Sequence, residues 1–332
     1  MAVRRILVVV MLIAGVLVAS ASEALAASAR QGDFNGDGYP DLAIGVPRED
    51  VGAVSNAGAV SVLYGGPGGV SAIGDQFWHQ DVEGVPDVAE TGDQFGASVA
   101  AGDFNADGFS DLAIGVPLEE VGGIGAAGAV IVLYGSRTGL AEDRAQFWHQ
   151  DVDDVEDIAE ANDRFGLSLA GANFGKSSHA DLAVGVVSED VGAVGDAGAV
   201  NVLYGSSAGL TAAGDQFWHQ DSAGVNDTAE TTDVFGYSLA GANFGKSSHA
   251  DLAVGVLLED VGAAANAGAV NVLYGSSAGL TATGDQFFHQ DSPGVNDSAE
   301  ADDEFGSSLA GANFGKSSHA DLAVGVFLED VG

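Results

Sequence analysis

The sequence predicts an all-β protein, a β-propeller of four-stranded antiparallel blades, and three observations lead there. Phenylalanine recurs at Phe34, Phe104, Phe174, Phe244 and Phe314, and aspartate at Asp41, Asp111, Asp181, Asp251 and Asp321, always 70 residues apart. A fixed period marks one supersecondary unit copied head to tail, each copy burying its apolar face against the next. Each copy also holds four short β-rich runs separated by glycine-rich and acidic turns, and no stretch keeps a helical period. The unit length suits four strands repeated radially, since β-helix repeats are much shorter. The copies cover residues 27–94, 95–164, 165–234, 235–304 and, in part, 305–332. About four and a half copies predict an incomplete ring.

The second copy shows each element most clearly. Residues 95–102 alternate large and small side chains, as a strand beside a crowded axis does. The equivalent first strands are expected at 27–32, 165–172, 235–242 and 305–312. A polar loop, 103–111, leads to the short apolar run 112–116, which Pro117 stops. An acidic loop follows, then residues 128–135, rich in β-branched side chains and bounded by glycines. A turn over 136–140 precedes Gln146-Phe147-Trp148-His149-Gln150, the expected fourth strand.

The first 26 residues stand apart from the repeat. Arg4 and Arg5 form a basic start, residues 6–18 are apolar, and Ala24-Leu25-Ala26 fits a small-x-small cleavage site. The segment reads as a secretory signal peptide removed after Ala26, which places the mature protein outside the cell or at its surface. The alternative is an uncleaved anchor, because the apolar run stretches to about 20 residues. No later segment is apolar enough to span a membrane. Cysteine is absent, so packing and metal must supply what disulfides would. The formal net charge of −38 disfavours nucleic acid and anionic lipid as partners and favours cations.

Phe95-Gly96, the loop 103–111 and Gly128-Ala129-Val130 together resemble an FG-GAP repeat, the blade unit of integrin α-chain heads and of many secreted bacterial proteins. The pieces recur at Phe165-Gly166 with Gly198-Ala199-Val200, at Phe235-Gly236 with Gly268-Ala269-Val270, and begin again at Phe305-Gly306. The resemblance implies a propeller whose loops bind a protein or glycan ligand in an adhesion role, with calcium held in inter-strand loops. The first copy departs from it, having Leu25-Ala26 where Phe-Gly belongs.

Two loops carry a metal-ligand spacing. Asp33, Asn35, Asp37 and Asp41, and likewise Asp103, Asn105, Asp107 and Asp111, place oxygen side chains at loop positions 1, 3, 5 and 9. Gly38 and Gly108 at position 6 permit the tight turn. Alternate residues of a curled loop face inward, and hard oxygen donors in that number suit calcium. The backbone carbonyls of Tyr39 and Phe109, at position 7, complete the set as in the family's loops. Two calcium sites are expected. In the other copies, Asn173 to Asp181 and its repeats have glycine at position 3, serine at 5 and a lysine at 4 (Lys176, Lys246 and Lys316). These loops are expected to bind no ion, with the lysine bridging carboxylates in its place as a further reading.

His79, His149, His219 and His289 recur once per copy beside Trp78, Trp148, Trp218 and Phe288. That regularity predicts aromatic packing between blades, with His and Asp fixing the outer strand. The acidic stretches beginning at Glu49 and Asp81, with their repeats, read as solvated loops. No nucleophile elbow, zinc-protease motif or phosphate loop is present. The leading function is therefore a calcium-binding adhesion or ligand-binding module. The alternative is a hydrolase or lyase with its site at the propeller axis. Unpaired blade edges predict self-association.

Overall fold

The computed structural model describes residues 29–315 and 317–329, so the basic-apolar segment and its cleavage site lie outside the described residues. Blade one contains β1 (Ala29–Gly32), β2 (Asp41–Val46), β3 (Ala59–Tyr64) and β4 (Ser71–Trp78). Blade two contains β5 (Val99–Gly102), β6 (Asp111–Val116), β7 (Ala129–Ser136) and β8 (Gly139–Trp148). Blade three contains β9 (Leu169–Ala172), β10 (Asp181–Val186), β11 (Ala199–Ser206) and β12 (Gly209–Trp218). Blade four contains β13 (Phe235–Ala242), β14 (Asp251–Val256), β15 (Ala269–Ser276) and β16 (Gly279–Phe288). A fifth sheet pairs β17 (Phe305–Ala312) with β18 (Asp321–Val326). Every sheet is an antiparallel meander in chain order, and no described residue is helical. The first strands of successive blades lie beside one another.

Two strand expectations are corrected. In blades two and three the first strand begins four residues late, because Phe-Gly forms a turn. Gly96 has φ 86°, and Ala97 N–H closes the turn on the Gln94 carbonyl at 2.9 Å. Phe95 N–H instead reaches back to Ala57 of the previous blade at 2.8 Å. A Cβ on Gly96 would stand 2.7 Å from the Ala59 carbonyl oxygen, so only glycine fits this joint. The Phe-Gly of one copy thus sits on the Gly-Ala-Val of the copy before. In blades four and five the same turn appears as a strand irregularity between Phe235 and Ser238, and between Phe305 and Ser308. The outer strand is the second correction: it starts at Gly139, not Gln146, and ends at Trp148, leaving His149 and Gln150 in the turn beyond.

The core lies between blades. One cluster joins Phe34, Val60 and Val62 of blade one to Phe95, Leu112 and Ile114 of blade two, with Trp78 packed among them. The next clusters join blades two and three, three and four, and four and five. Phe34, Phe104 and Phe174 are fully buried against the following blade, whereas Phe314 is 61% exposed. Full burial of such a ring contributes about 1.5–3 kcal/mol. Stability here comes from stacking one blade on the next.

A glutamine clamp reinforces the first three joints. Gln76 Nε2 donates to the Leu140 carbonyl at 2.9 Å, and its Oε1 accepts from Leu140 N–H at 3.0 Å and from the Tyr64 hydroxyl. Gln146 with Leu210 and Gln216 with Leu280 repeat it.

Candidate metal centres

Loops 33–41 and 103–111 join the first and second strands of blades one and two. Asp33 accepts from the N–H groups of Asp37 (3.1 Å) and Gly38 (2.9 Å), Asn35 Oδ1 from Asp37 (2.9 Å), and Asp37 Oδ1 from Tyr39 (2.9 Å). In the second loop Asp103, Asn105 and Asp107 repeat the pattern, with Phe109 N–H donating to Asp107 at 3.0 Å. The oxygens of positions 1, 3 and 5 therefore curl round the same short backbone segment. Gly38 and Gly108 supply the left-handed turn at position 6, with φ 86° and 92°.

Position 9 does something else. Asp41 and Asp111 are fully buried. Asp41 accepts from Phe34 N–H at 2.7 Å and Gly65 N–H at 2.8 Å, and Asp111 from Phe104 at 2.8 Å and Gly135 at 2.9 Å. Asp181 and Asp251 make the same two bonds in loops lacking the other acids. The residue fastens the loop to the third strand in every four-stranded blade. Its persistence across all copies, while positions 3 and 5 vary, was the sequence signal for this role. Burial raises the carboxyls of Asp41, Asp111 (to about 7) and Asp181 (to about 6), against the lowering by their backbone donors.

With position 9 engaged in this way, no three His, Cys, Asp or Glu side chains among the described residues already converge as a metal-binding group. The donor chemistry of positions 1, 3 and 5 nonetheless fits a hard cation, being oxygen alone. A positive group also stands over the second loop, where Arg144 on β8 lies 3.7 Å from Asp107. The two loops touch. Asp33 accepts from Ser110 N–H through its carbonyl at 2.9 Å, and a Cβ on Gly36 would meet the Phe109 ring at 2.5 Å.

Loops 173–181 and 243–251 close on themselves without charge. Asn173 accepts from Gly175 N–H at 3.1 Å and donates to the Ser177 carbonyl at 3.0 Å, while Ser177 Oγ accepts from His179 N–H at 3.1 Å. The lysine does not bridge carboxylates. Lys176 Nζ leaves the loop, lies 3.7 Å from the Tyr204 ring centroid and donates to the Gly214 carbonyl. Lys246 does likewise at 3.4 Å from Tyr274, donating to Gly284. The ring face and the carbonyl attract the ammonium outward.

The histidines beside the aromatic residues fix the turn after the outer strand, not the strand itself. His149 C=O accepts from Val152 N–H at 3.1 Å, its ring packs edge-on against Phe147, and Asp151 holds Ala159 N–H at 3.1 Å. One expectation holds only in part. The acidic stretches are not wholly solvated, because Asp93 and Glu119 are buried, as are Asp163, Glu189, Asp233 and Glu259. Glu49, the equivalent of Glu119 in the first copy, is exposed.

Residues 26–63 and 95–133 match the FG-GAP repeat family. Phosphatidylinositol-glycan-specific phospholipase D of Bos taurus is 36% identical over 107 residues, 32% of this chain and 13% of that protein. Integrin alpha-3 of Cricetulus griseus is 28% identical over 230 residues, 67% of this chain and 18% of that protein. The chain thus spans less than a fifth of either relative's length. Bacillus licheniformis rhamnogalacturonan lyase PL11 aligns over 90% of this chain and 55% of its own, at TM-score 0.41 and 11% identity, too distant to bear on function. The Phe-Gly joints, the Gly-Ala-Val strands and the integrin alignment agree: this chain carries FG-GAP repeats and is similar to integrin α chains.

Proposed function

We propose that the chain is a secreted, calcium-stabilised propeller that binds an extracellular protein or glycan through its loops. One observation carries the calcium reading: Asp33, Asn35 and Asp37, and Asp103, Asn105 and Asp107, are already curled as oxygen donors in two touching loops, whereas the other loops are closed by neutral hydrogen bonds. Calcium bound there would draw on those side chains, the Tyr39 and Phe109 carbonyls, and Asp41 and Asp111. It would neutralise the acids and fix the rim on which the loops stand. No helix among the described residues is long and apolar enough to cross a membrane. The basic-apolar start of the sequence supports export.

Among the described residues, nothing at the axis favours the hydrolase or lyase reading. The axial hollows are lined by Ala, Gly, Val, Leu, Ser and Tyr237. The hydroxyls of Ser98, Ser168 and Ser238 already donate to the carbonyls of Gly166, Gly236 and Gly306.

Calorimetric titration with calcium should show two tight sites that the rim loops supply. Asp37→Ala with Asp107→Ala should remove both. Binding to a glycan array or to cell-surface protein should then weaken in the double variant or in chelator. A calcium count that the double variant leaves unchanged would defeat the rim-loop assignment. Ligand binding indifferent to calcium would separate the rim from recognition.

A further inference from the structure

Because strands alternate direction, the links between blades and the turns between second and third strands lie at the end opposite the calcium-loop candidates. There, each joint encloses a carboxylate. Glu119 and Gln80 are both 1% exposed, and Gln80 Nε2 donates to Glu119 Oε2 at 2.6 Å. The Asp87 carboxylate comes within hydrogen-bonding reach of Glu119, and buried Asp93 acts on it through space. Asp87 itself is exposed, so the pocket opens to solvent past that residue.

The second observation is an orphan. Gln80 Oε1 is buried with no hydrogen-bond partner, although the amide that carries it is bonded to Glu119. The orphan recurs at Gln150, Gln220 and Gln290, each donating its Nε2 at 2.5 Å to Glu189, Glu259 and Glu329. A buried amide oxygen without a donor is costly, and four in identical register are no accident of packing.

Two occupants could relieve such a pocket, a proton or a cation. Glu119 is buried and has the Asp87 carboxylate beside it, a pairing that only one of the two can neutralise. A proton on Glu119 offers a single donor. It can serve Asp87 or the Gln80 oxygen, but not both. A divalent cation accepts all three oxygens at once, with water completing the shell.

We propose that each pocket between blades is a divalent-cation site suited to calcium, ligated by Glu119, Asp87 and Gln80 Oε1 at the first joint and by their repeats at the next three. These sites are separate from the rim loops and do not depend on the function proposed above. Only oxygen donors face the ion, which disfavours softer metals.

The test uses the full chain carrying Asp37→Ala and Asp107→Ala, so that the rim loops are silent. Calcium chloride is titrated by calorimetry in about 0.15 M salt, where long-range attraction to the acidic surface is screened. About four further ions should bind and the melting temperature should rise. Glu119→Gln should lower the count by one and leave the calcium-free melting temperature unchanged or higher, because a buried acid is replaced by a neutral isostere. The four substitutions Glu119→Gln, Glu189→Gln, Glu259→Gln and Glu329→Gln together should abolish binding. A folded, loop-silenced chain that binds no calcium would overturn the proposal and leave a proton as occupant. Binding unchanged by the fourfold substitution would overturn it too, identifying diffuse attraction to the acidic surface.

Discussion

Loops 103–111 and 173–181 have the same length and the same place in adjacent blades, and both hang from the same buried aspartate. They differ in what fills the turn. In the first, Asp103, Asn105 and Asp107 face inward under the guanidinium of Arg144. In the second, Asn173 and Ser177 satisfy each other, and the Lys176 ammonium has moved onto Tyr204. The position-9 aspartate thus fastens both loops, whereas the donors at positions 1, 3 and 5 are what distinguish them. One could be lost without the other, and in the third and fourth copies it was.

The comparison breaks most easily at Asp181. Asp181→Ala leaves the N–H groups of Phe174 and Gly205 without acceptors in a buried site. At about 1–3 kcal/mol for each orphan, the loss should reach roughly 3–5 kcal/mol in denaturant unfolding, with or without calcium. Asp107→Ala, at an exposed position, should cost less than about 1 kcal/mol in chelator and act only on the calcium response. Equal costs for the two in chelator would mean that position 9 is no fastener.

A transplant sharpens the chemical half. Asn243→Asp, Gly245→Asn, Lys246→Ala, Ser247→Asp and Ser248→Gly together give the fourth loop the donors of the second, at a copy where a Cβ on Gly245 meets no backbone within 4 Å. Calorimetry should count one more tight calcium ion. Saturation at 100 times the dissociation constant should stabilise the variant by about 2.7 kcal/mol, which a thermal melt would detect. An unchanged count would mean that the donors must be held by contacts outside the loop.

Much of this architecture was legible in the sequence and some was not, for physical reasons. The 70-residue period and the β-branched runs gave blade, strand order and core, since each strand's pattern is local. The Phe-Gly turn was read as strand because its partner, Gly58-Ala59, belongs to another copy. Glu119 was read as solvated for the same reason. Its cover comes from Gln80, 39 residues earlier and one blade back, and a period does not say which copies face each other. Contacts within a copy were readable, and contacts between copies were not.

The pH dependence offers a smaller but clean handle. Burial raises the Asp181 carboxyl from 3.8 to about 6, so the folded chain holds that proton more tightly than the unfolded one. The contribution of this group is therefore complete below about pH 4 and declines as pH rises to about 6. Asp181→Asn removes the titration. The stability difference between wild type and Asp181→Asn should drift against the wild type across that window and stay level above it. A difference independent of pH from 4 to 7 would mean that Asp181 stays ionised throughout, held by its backbone donors.

The smallest effect is expected at Lys176. Its ammonium is partly solvated, and it sits on Tyr204 and the Gly214 carbonyl rather than in an ion pair. A cation–π contact at such a site is worth about 0.5–1 kcal/mol, and Lys176→Met keeps the apolar stem over the ring. The variant should lose less than about 1 kcal/mol in chemical denaturation. It should gain no calcium affinity, because Gly175 and Ser177 still stand where the ligands would be. If removing the charge alone creates a calcium site, repulsion by the lysine rather than the missing oxygens had kept the ion out. The loop would then be a masked site, and the contrast with residues 103–111 would rest on one ammonium group.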